Sequence, residues 1–462
     1  MKKALYFGSY AFLLCVLLLS SCKKPLVLSK SNLEFSADTV VFDTVFTTFG
    51  STTKQFKIYN PDNRTVEIDE IELMGGENSP FRINVDGLKG TYQSDIQLEG
   101  KDSLFVFVEV TLQVNGQTLP MVVEDSIRFR TNGKDQYIVL AVWGQDNYYH
   151  NKDLNEGTWA NDKPHVIYGF AAVDSAKTLT IPAGTQVHLH KNAVLWVYKG
   201  TLNIEGALNQ EVVFQGDRLE QDYQDVAGQY YGIYFQEARP SIINYAIIKN
   251  GISGVHLYNR DNAFSDYTLT MTNTVIENCA RYGVFLYSGP KLKAENCLIH
   301  KNGNHALLVL EGADFYFNHC NLLGYGNGDG STPAVGISNY YNDFSTSTQN
   351  IGSINEGKIY NSVIYGLESS ELVFDTIPEA GVTLNFDIRN CLIKREIPAT
   401  ENYYQNIAWN TDPQFNDIEN NDYLFPNTSP LNNAANTLFA LFFDILGNAR
   451  INIPSDIGAF EN

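Results

Sequence analysis

The residues of this 462-residue chain best equipped for chemistry fall in one polar stretch, 215–232, which carries Asp217, Arg218, Glu220, Asp222 and Asp225. Paired carboxylates across a cleft are what glycoside hydrolysis requires. A base beside a cation that neutralises a uronate would serve a lyase, and clustered carboxylate oxygens suit calcium. Arg260 and Asp261 lie in the next polar insertion, 259–267. Asp217, Arg218, Asp222, Arg260 and Asp261 are therefore the candidate catalytic residues, provided the fold brings them into one groove. A charge-rich loop is more often simply solvated. His188 and His190 flank Leu189 and share one side of a strand; a solvent-facing pair is the simpler reading than a metal pair. There is no Gly-rich phosphate loop and no nucleophile elbow. No cofactor is expected beyond calcium at the acidic loop.

The aromatic residues point elsewhere. The chain holds 27 Tyr and 27 Phe but only 4 Trp. Tyr223, Tyr230, Tyr231, Tyr234, Tyr258, Tyr267, Tyr287, Tyr340 and Tyr341 fall at insertions or strand ends. A tyrosine offers an apolar face with a polar tip, which suits stacking on a sugar ring. Tyr223, Tyr230, Tyr231, Tyr258, Tyr340 and Tyr341 are the candidate ligand-binding residues, although at least half of such rings are expected to fill the core instead.

These side chains must be held by a repeating framework. A short pattern recurs as Asn244-Tyr-Ala-Ile247, Asn273-Thr-Val-Ile276, Asn296-Cys-Leu-Ile299, His319-Cys-Asn-Leu322, Asn361-Ser-Val-Ile364 and Asn390-Cys-Leu-Ile393. The steps of 29, 23, 23, 42 and 29 residues are those of a solenoid. Between copies lie short runs of strand-forming residues such as Gly254-Val-His-Leu-Tyr258 and Gly283-Val-Phe-Leu-Tyr287, bounded by turn residues. No amphipathic helix separates them, so the pattern predicts a parallel β-helix. The long step holds either the insertion 324–356 or a repeat too degenerate to see; 366–383 is a further insertion. Cys297, Cys320 and Cys391 occupy one slot of the repeat with Thr274 and Ser362. A stacked column at about 4.8 Å spacing explains them; a Cys297–Cys320 bridge or a metal site is the sharper alternative.

Over roughly 165–462 the chain resembles the right-handed parallel β-helix proteins, the superfamily of pectin and alginate lyases, polygalacturonases and phage tailspikes. The resemblance implies the fold, and that fold hosts many activities. No Asp cluster with an Arg, as pectate lyases carry, has a local counterpart here. Asn410-Thr411-Asp412 matches one polygalacturonase string, but its partner motifs are absent and the match reads as chance. Leu179-Thr-Ile-Pro-Ala-Gly-Thr185 looks like the opening coil of bacterial β-helix lipoproteins. The segment 408–462, with Asp412-Pro-Gln-Phe415, Ser429-Pro-Leu431, Asp444-Ile-Leu-Gly447, Arg450 and Asp456-Ile-Gly-Ala-Phe-Glu461, resembles their closing segment. It is expected to seal the last coil, with Arg450 paired to Asp444 or Asp456.

Residues 1–21 combine Lys2-Lys3, a short apolar run and Leu19-Ser20-Ser21-Cys22. The run is too short to span a bilayer. The ending resembles a bacterial lipobox, which implies cleavage before Cys22 and lipidation of its thiol. Residues 30–146 alternate apolar and polar positions between turn clusters such as Asn115-Gly116 and Asn132-Gly133, the mark of an immunoglobulin-like β-sandwich. The expected order is a leader (1–21), a tether (22–29), the sandwich (30–146), a linker or cap (147–177), the β-helix (178–407) and the closing segment (408–462).

An all-β protein results: a sandwich followed by a right-handed parallel β-helix. The formal charge of −20 disfavours nucleic acid, anionic lipid headgroups and polyanionic glycans as partners. The expected role is a lipid-anchored envelope protein of a Gram-negative outer membrane, on either face, whose β-helix binds a glycan or another envelope component without catalysis. A polysaccharide lyase or glycoside hydrolase, and a structural adhesin or scaffold, are the alternatives.

Overall fold

The computed structural model describes residues 28–462 except 115, 117, 119, 262, 263, 327–331 and 452. The leader, Cys22 and Asn115 lie outside the described residues. Among the described residues no helix is long and apolar enough to cross a membrane. The chain divides between Asp146 and Asn147 into two compact units.

The first unit is two five-stranded sheets. One orders Glu34–Phe35, Lys54–Tyr59, Ser103–Val110, Phe81–Val85 and Leu88–Lys89; the other orders Thr39–Phe46, Lys134–Gln145, Met121–Thr131, Val66–Leu73 and Tyr92–Leu98. Pairing is antiparallel except that Thr39–Phe46 runs parallel to Lys134–Gln145. Alternation drives the packing: Phe56, Ile58, Phe81, Val106 and Val108 of one sheet and Phe42, Ile68, Ile71, Phe129 and Leu140 of the other are buried in a single core. Asn132 (φ 53°) and Gly133 (φ 70°) turn Met121–Thr131 into Lys134–Gln145. Both residues sit at positive φ, the geometry a tight hairpin demands.

The second unit is a parallel β-helix without α-helix among the described residues. Its coils add strands to a ten-stranded and an eighteen-stranded sheet. The larger sheet is two ribbons that share His165–Val173: residues 165–167 pair with Gln186–Leu189, and 170–173 pair with Val194–Tyr198. A coil therefore has three sides. One example is Lys291–Glu295, Leu298–His300 and His305–Leu310. The inward positions, such as Leu292, Ile299 and Leu307, form one continuous core.

The winding starts earlier than expected. Tyr148–Leu154 and His165–Val173 are already paired strands, so 147–177 is a first coil and no linker. The 42-residue step is one coil carrying Val335–Ser338 and a hairpin, Tyr340–Asp343 with Thr348–Ile351. Within 366–383 lies another coil strand, Leu372–Asp375.

Corners explain the repeated asparagine. Where the ten-stranded sheet turns into the next side stand Tyr245, Asn273, Asn296, His319, Asn361 and Asn390, all with φ between 47° and 52°. Asn tolerates this left-handed conformation better than other residues with a Cβ. The first copy sits one residue off: Asn244 pairs with Thr272, so Tyr245 and not Asn244 takes the corner. The displaced Asn244 still accepts from Asn273 Nδ2 at 2.9 Å.

Behind each corner, Thr274, Cys297, Cys320, Ser362 and Cys391 stack as a fully buried column. Each donates to a backbone carbonyl two residues earlier, for example Cys391 to Arg389 at 3.2 Å and Ser362 to Tyr360 at 2.6 Å. Cys297, Cys320 and Cys391 are free thiols, so the bridge between Cys297 and Cys320 is not made.

The closing segment begins on the last coil, where Ala408–Trp409 pairs with Leu392–Ile393 and Trp409 packs against the core. Its remainder lies along the solenoid's side, where Tyr423, Phe425, Leu431, Ile445 and Phe460 pack against the outward Leu298, Leu323, Val363 and Leu392. Amides at the corners, or next to one in the case of Asn318, fasten it: Asn390 donates to Ala434 O, Asn361 to Asn436 O, Asn318 to Phe439 O and Asn296 to Phe443 O, at 2.8–3.3 Å. Arg450 pairs with Glu461 at 3.0 Å and not with either expected aspartate. Asp444 accepts from the amides of Leu446, Asn448 and Glu461, and Asp456 from those of Asn433 and Asn462.

Candidate functional site

The five candidate catalytic residues do not converge. Asp217 is held by His190 at 2.7 Å, and the His190 ring lies flat on Tyr168 at 4.0 Å. Arg218 grips Glu220 at 3.0 Å and sits 3.8 Å over the Tyr223 ring. Asp222 is exposed on the short turn Gln221–Tyr223. The loop is pinned from below by a second corner column, Asn250 donating to Gln224 O and Asn278 to Asp225 O. It borders a cavity of about 290 Å³ with Gln215, Arg218, Tyr223, Gln229 and Lys249 in its lining.

Asp217 and Glu220 thus face separate partners, and Asp222 and Asp225 are exposed. Among the described residues, no group of three or more His, Cys, Asp or Glu is placed to hold a metal ion. His188 is buried, not solvent-facing; burial lowers its pKa to about 4. Asn410 bonds the backbone of Arg395 in both directions at 2.8 Å, which is a turn clamp.

Arg260 and Asp261 belong to a different corner. There the backbone amides of Arg260 and Asp261 donate to Glu237, and the Arg260 guanidinium reaches Glu311 at 2.8 Å and Ser288 at 3.0 Å. Glu237, Ser288 and Glu311 all hold positive φ, so this polar cluster is set by a third corner column. The hairpin 340–351 borders it. Arg260, Ser288, Glu311, Gln349, Asn350 and Glu379 are among the residues that line the resulting groove of about 490 Å³.

An aromatic face leads up to this groove. In the strands Val194–Tyr198, Gly232–Gln236, Ser253–Tyr258 and Tyr282–Tyr287 the inward positions are aliphatic or Phe, and the outward ones are ring-rich. Register puts Trp196, Tyr234, His256 and Phe285 in one outward column and Tyr258 beside Tyr287 in the next. Tyr234, His256 and Phe285 stack at successive centroid distances of 4.6 Å. Tyr231 bonds His256 Nδ1 at 2.8 Å, and burial lowers the His256 pKa to about 4.

Stacked rings cover one another's faces and turn their edges outward. Beside the groove the column gives way to a tyrosine cluster. Tyr258 and Tyr287 lie 5.7 Å apart, and Tyr341, 39% exposed on the hairpin, meets Tyr287 edge to face at 5.7 Å. The Tyr287 phenol is pushed up to about 12 by burial and by the Glu311 carboxylate, so it stays a hydrogen-bond donor. Amides, a carboxylate and a guanidinium thus stand next to an aromatic corner.

The six candidate tyrosines divide accordingly. Tyr258 and Tyr341 pack against Tyr287 beside the groove, and Tyr340 supports the hairpin by bonding Asp375 at 2.7 Å. Tyr231 braces His256. Tyr223 lies in the separate loop, and Tyr230 is fully buried, donating to Lys249 O at 2.9 Å. Glu311, Gln349, Asn350 and Glu379 were not singled out from sequence. Only Glu311, one residue past the outward end of a strand-like run, carried any local signal.

The family described as "Right handed beta helix region" matches residues 175–322. No curated protein matches the chain. Among solved structures, the catalytic unit of a GH87 α-1,3-glucanase from Streptomyces thermodiastaticus is similar at 10% identity and a TM-score of 0.27, covering 77% of this chain and 75% of the other. An ASH/PapD-like domain of human CEP192 is similar at 12% identity and a TM-score of 0.18, covering 28% of this chain and 94% of the other. A family 123 glycoside hydrolase from Clostridium perfringens is similar at 6% identity and a TM-score of 0.18, over 26% of this chain; the match spans 30% of that enzyme's length. The chain is an all-β protein in which sandwich-like antiparallel sheets precede a right-handed β-helix.

Proposed function

We propose that this protein is a lipid-anchored component of a Gram-negative cell envelope, held in the outer membrane through Cys22, that binds a glycan on its β-helix without cleaving it. The observation that carries the binding is the corner formed by Tyr287 and Tyr341 beside the groove of Arg260, Glu311, Gln349 and Asn350. A sugar ring needs an apolar face to stack on and short-range donors and acceptors for its hydroxyls. The rings offer the first and the groove the second, and the two meet where Tyr287 interacts with Glu311. The absence of cleavage is supported by three separate ion pairs that engage Asp217 with His190, Arg218 with Glu220 and Arg260 with Glu311.

Titration calorimetry against a panel of neutral envelope oligosaccharides tests the reading. Tyr341→Ala is expected to weaken binding about tenfold, roughly 1.4 kcal/mol, whereas Tyr223→Ala leaves it unchanged. Absence of binding to the whole panel would sink the proposal, and the appearance of new reducing ends would replace it with an enzyme.

A further inference from the structure

The groove beside the Tyr287–Tyr341 corner contains one oxygen that the protein itself leaves unanswered. Glu311, which lines the groove, is only 8% exposed. Its Oε1 accepts from the Arg260 guanidinium at 2.8 Å and from the Ser288 hydroxyl at 3.1 Å. The Tyr287 phenol leans on the same carboxylate, yet Oε2 is buried and receives no well-formed hydrogen bond. A desolvated carboxylate oxygen without a donor is costly. Charge adds a second observation. The charged side chains lining the groove are Arg260, Glu311 and Glu379, one cation to two carboxylates, and the cation is already paired. Exposed Asp261 and Glu237, whose carboxylate holds the backbone amides of Arg260 and Asp261, extend the negative side.

We propose that the glycan bound here carries a free amino group, a hexosamine whose ammonium donates to Glu311 Oε2; this rests on the groove being the glycan site. An ammonium has three donors and no acceptor, so it fills the orphan oxygen and offsets the excess charge at once. Its hydrogen bond to a carboxylate is charge-assisted, roughly twice as strong as one between neutral groups. A hydroxyl or an N-acetyl amide brings a donor but no charge, and a uronate brings the wrong sign. Among the described residues no group of three or more His, Cys, Asp or Glu is placed to hold a metal ion, so the cation this groove suits is an organic one.

Calorimetry of the full chain with oligomers of glucosamine, N-acetylglucosamine and glucose, equal in length and linkage, tests this in a buffer acid enough to keep the sugar amines protonated. The glucosamine oligomer is expected to bind at one site per chain, about tenfold more tightly than either of the others. In Glu311→Gln that ratio should fall toward one; reading a ratio removes any general weakening of the groove. Melting curves check the fold of Glu311→Gln, and if it is lost, Glu379→Gln at the exposed rim should cut the ratio several-fold. A preference that survives these substitutions is general attraction to an acidic surface and overturns the proposal. Equal, weaker or no binding of the amino oligomer overturns it too, and the glycan reading then stands or falls on the neutral panel alone.

Discussion

A single side chain in this molecule is often asked to serve two neighbours. Asn361 holds a left-handed corner, accepts from Asn436 N at 2.6 Å and donates to Asn436 O at 3.2 Å. Asn361→Ala removes both bonds and leaves a β-carbon in the left-handed region. It is expected to cost about 2–3 kcal/mol, read as a lower denaturant midpoint. The cysteine column makes the opposite forecast. Cys320 stacks between positions that hold Cys297 and Ser362, and its thiol donates to Asn318 O at 3.4 Å. Cys320→Ser keeps a donor of similar size and should shift stability by no more than about 1–2 kcal/mol, while Cys320→Leu overpacks the column and costs more. Reductant should leave the melting temperature unchanged, since these thiols are free.

At the scale of elements, the hairpin 340–351 is the piece that turns a flat aromatic face into a groove. It pairs only with itself, Tyr340 to Ile351 through Asp343 to Thr348. Replacing 341–350 with a short Gly-Ser turn should therefore abolish glycan binding while the melting temperature moves by only a few degrees, measured side by side on one preparation. Much of the coil framework could be read beforehand, because Asn followed by a small residue and an aliphatic recurs wherever a corner, an inward column and a core position must follow one another. The groove could not. Glu311, Gln349, Asn350 and Glu379 come from three separate segments and meet only because one coil carries an insertion. The offset of the first repeat was hidden for a related reason: Tyr245 takes a corner that its neighbour Asn244 seemed made for. The acidic loop misled because composition reports charge but not partners; Asp217 and Arg218 are each occupied locally.

Over the whole molecule, acid is the stress the fold meets least well. Burial lowers the pKa of His150, His165, His188, His256, His305 and His319 below the ordinary 6.5, to about 4 for His165, His188 and His256. Below 6.5 the unfolded chain binds protons that the folded chain refuses, so this contribution is intact above 6.5 and is lost as pH falls toward 4. Glu371 and Glu461 work the other way, since burial raises Glu371 to about 7 and Glu461 above its ordinary value, but they are two groups against six. Melting temperature should therefore drop steadily between pH 7 and pH 4; a flat profile would show that these imidazoles are not desolvated. The fastening of Ala434, Asn436, Phe439 and Phe443 to the side-chain amides of Asn390, Asn361, Asn318 and Asn296 has a temporal meaning too. The ribosome makes the latch last and the coils it clasps first, and the clasp runs backwards through them. A nascent chain can therefore stack its rungs in order yet stays unlocked until residues 434–443 emerge.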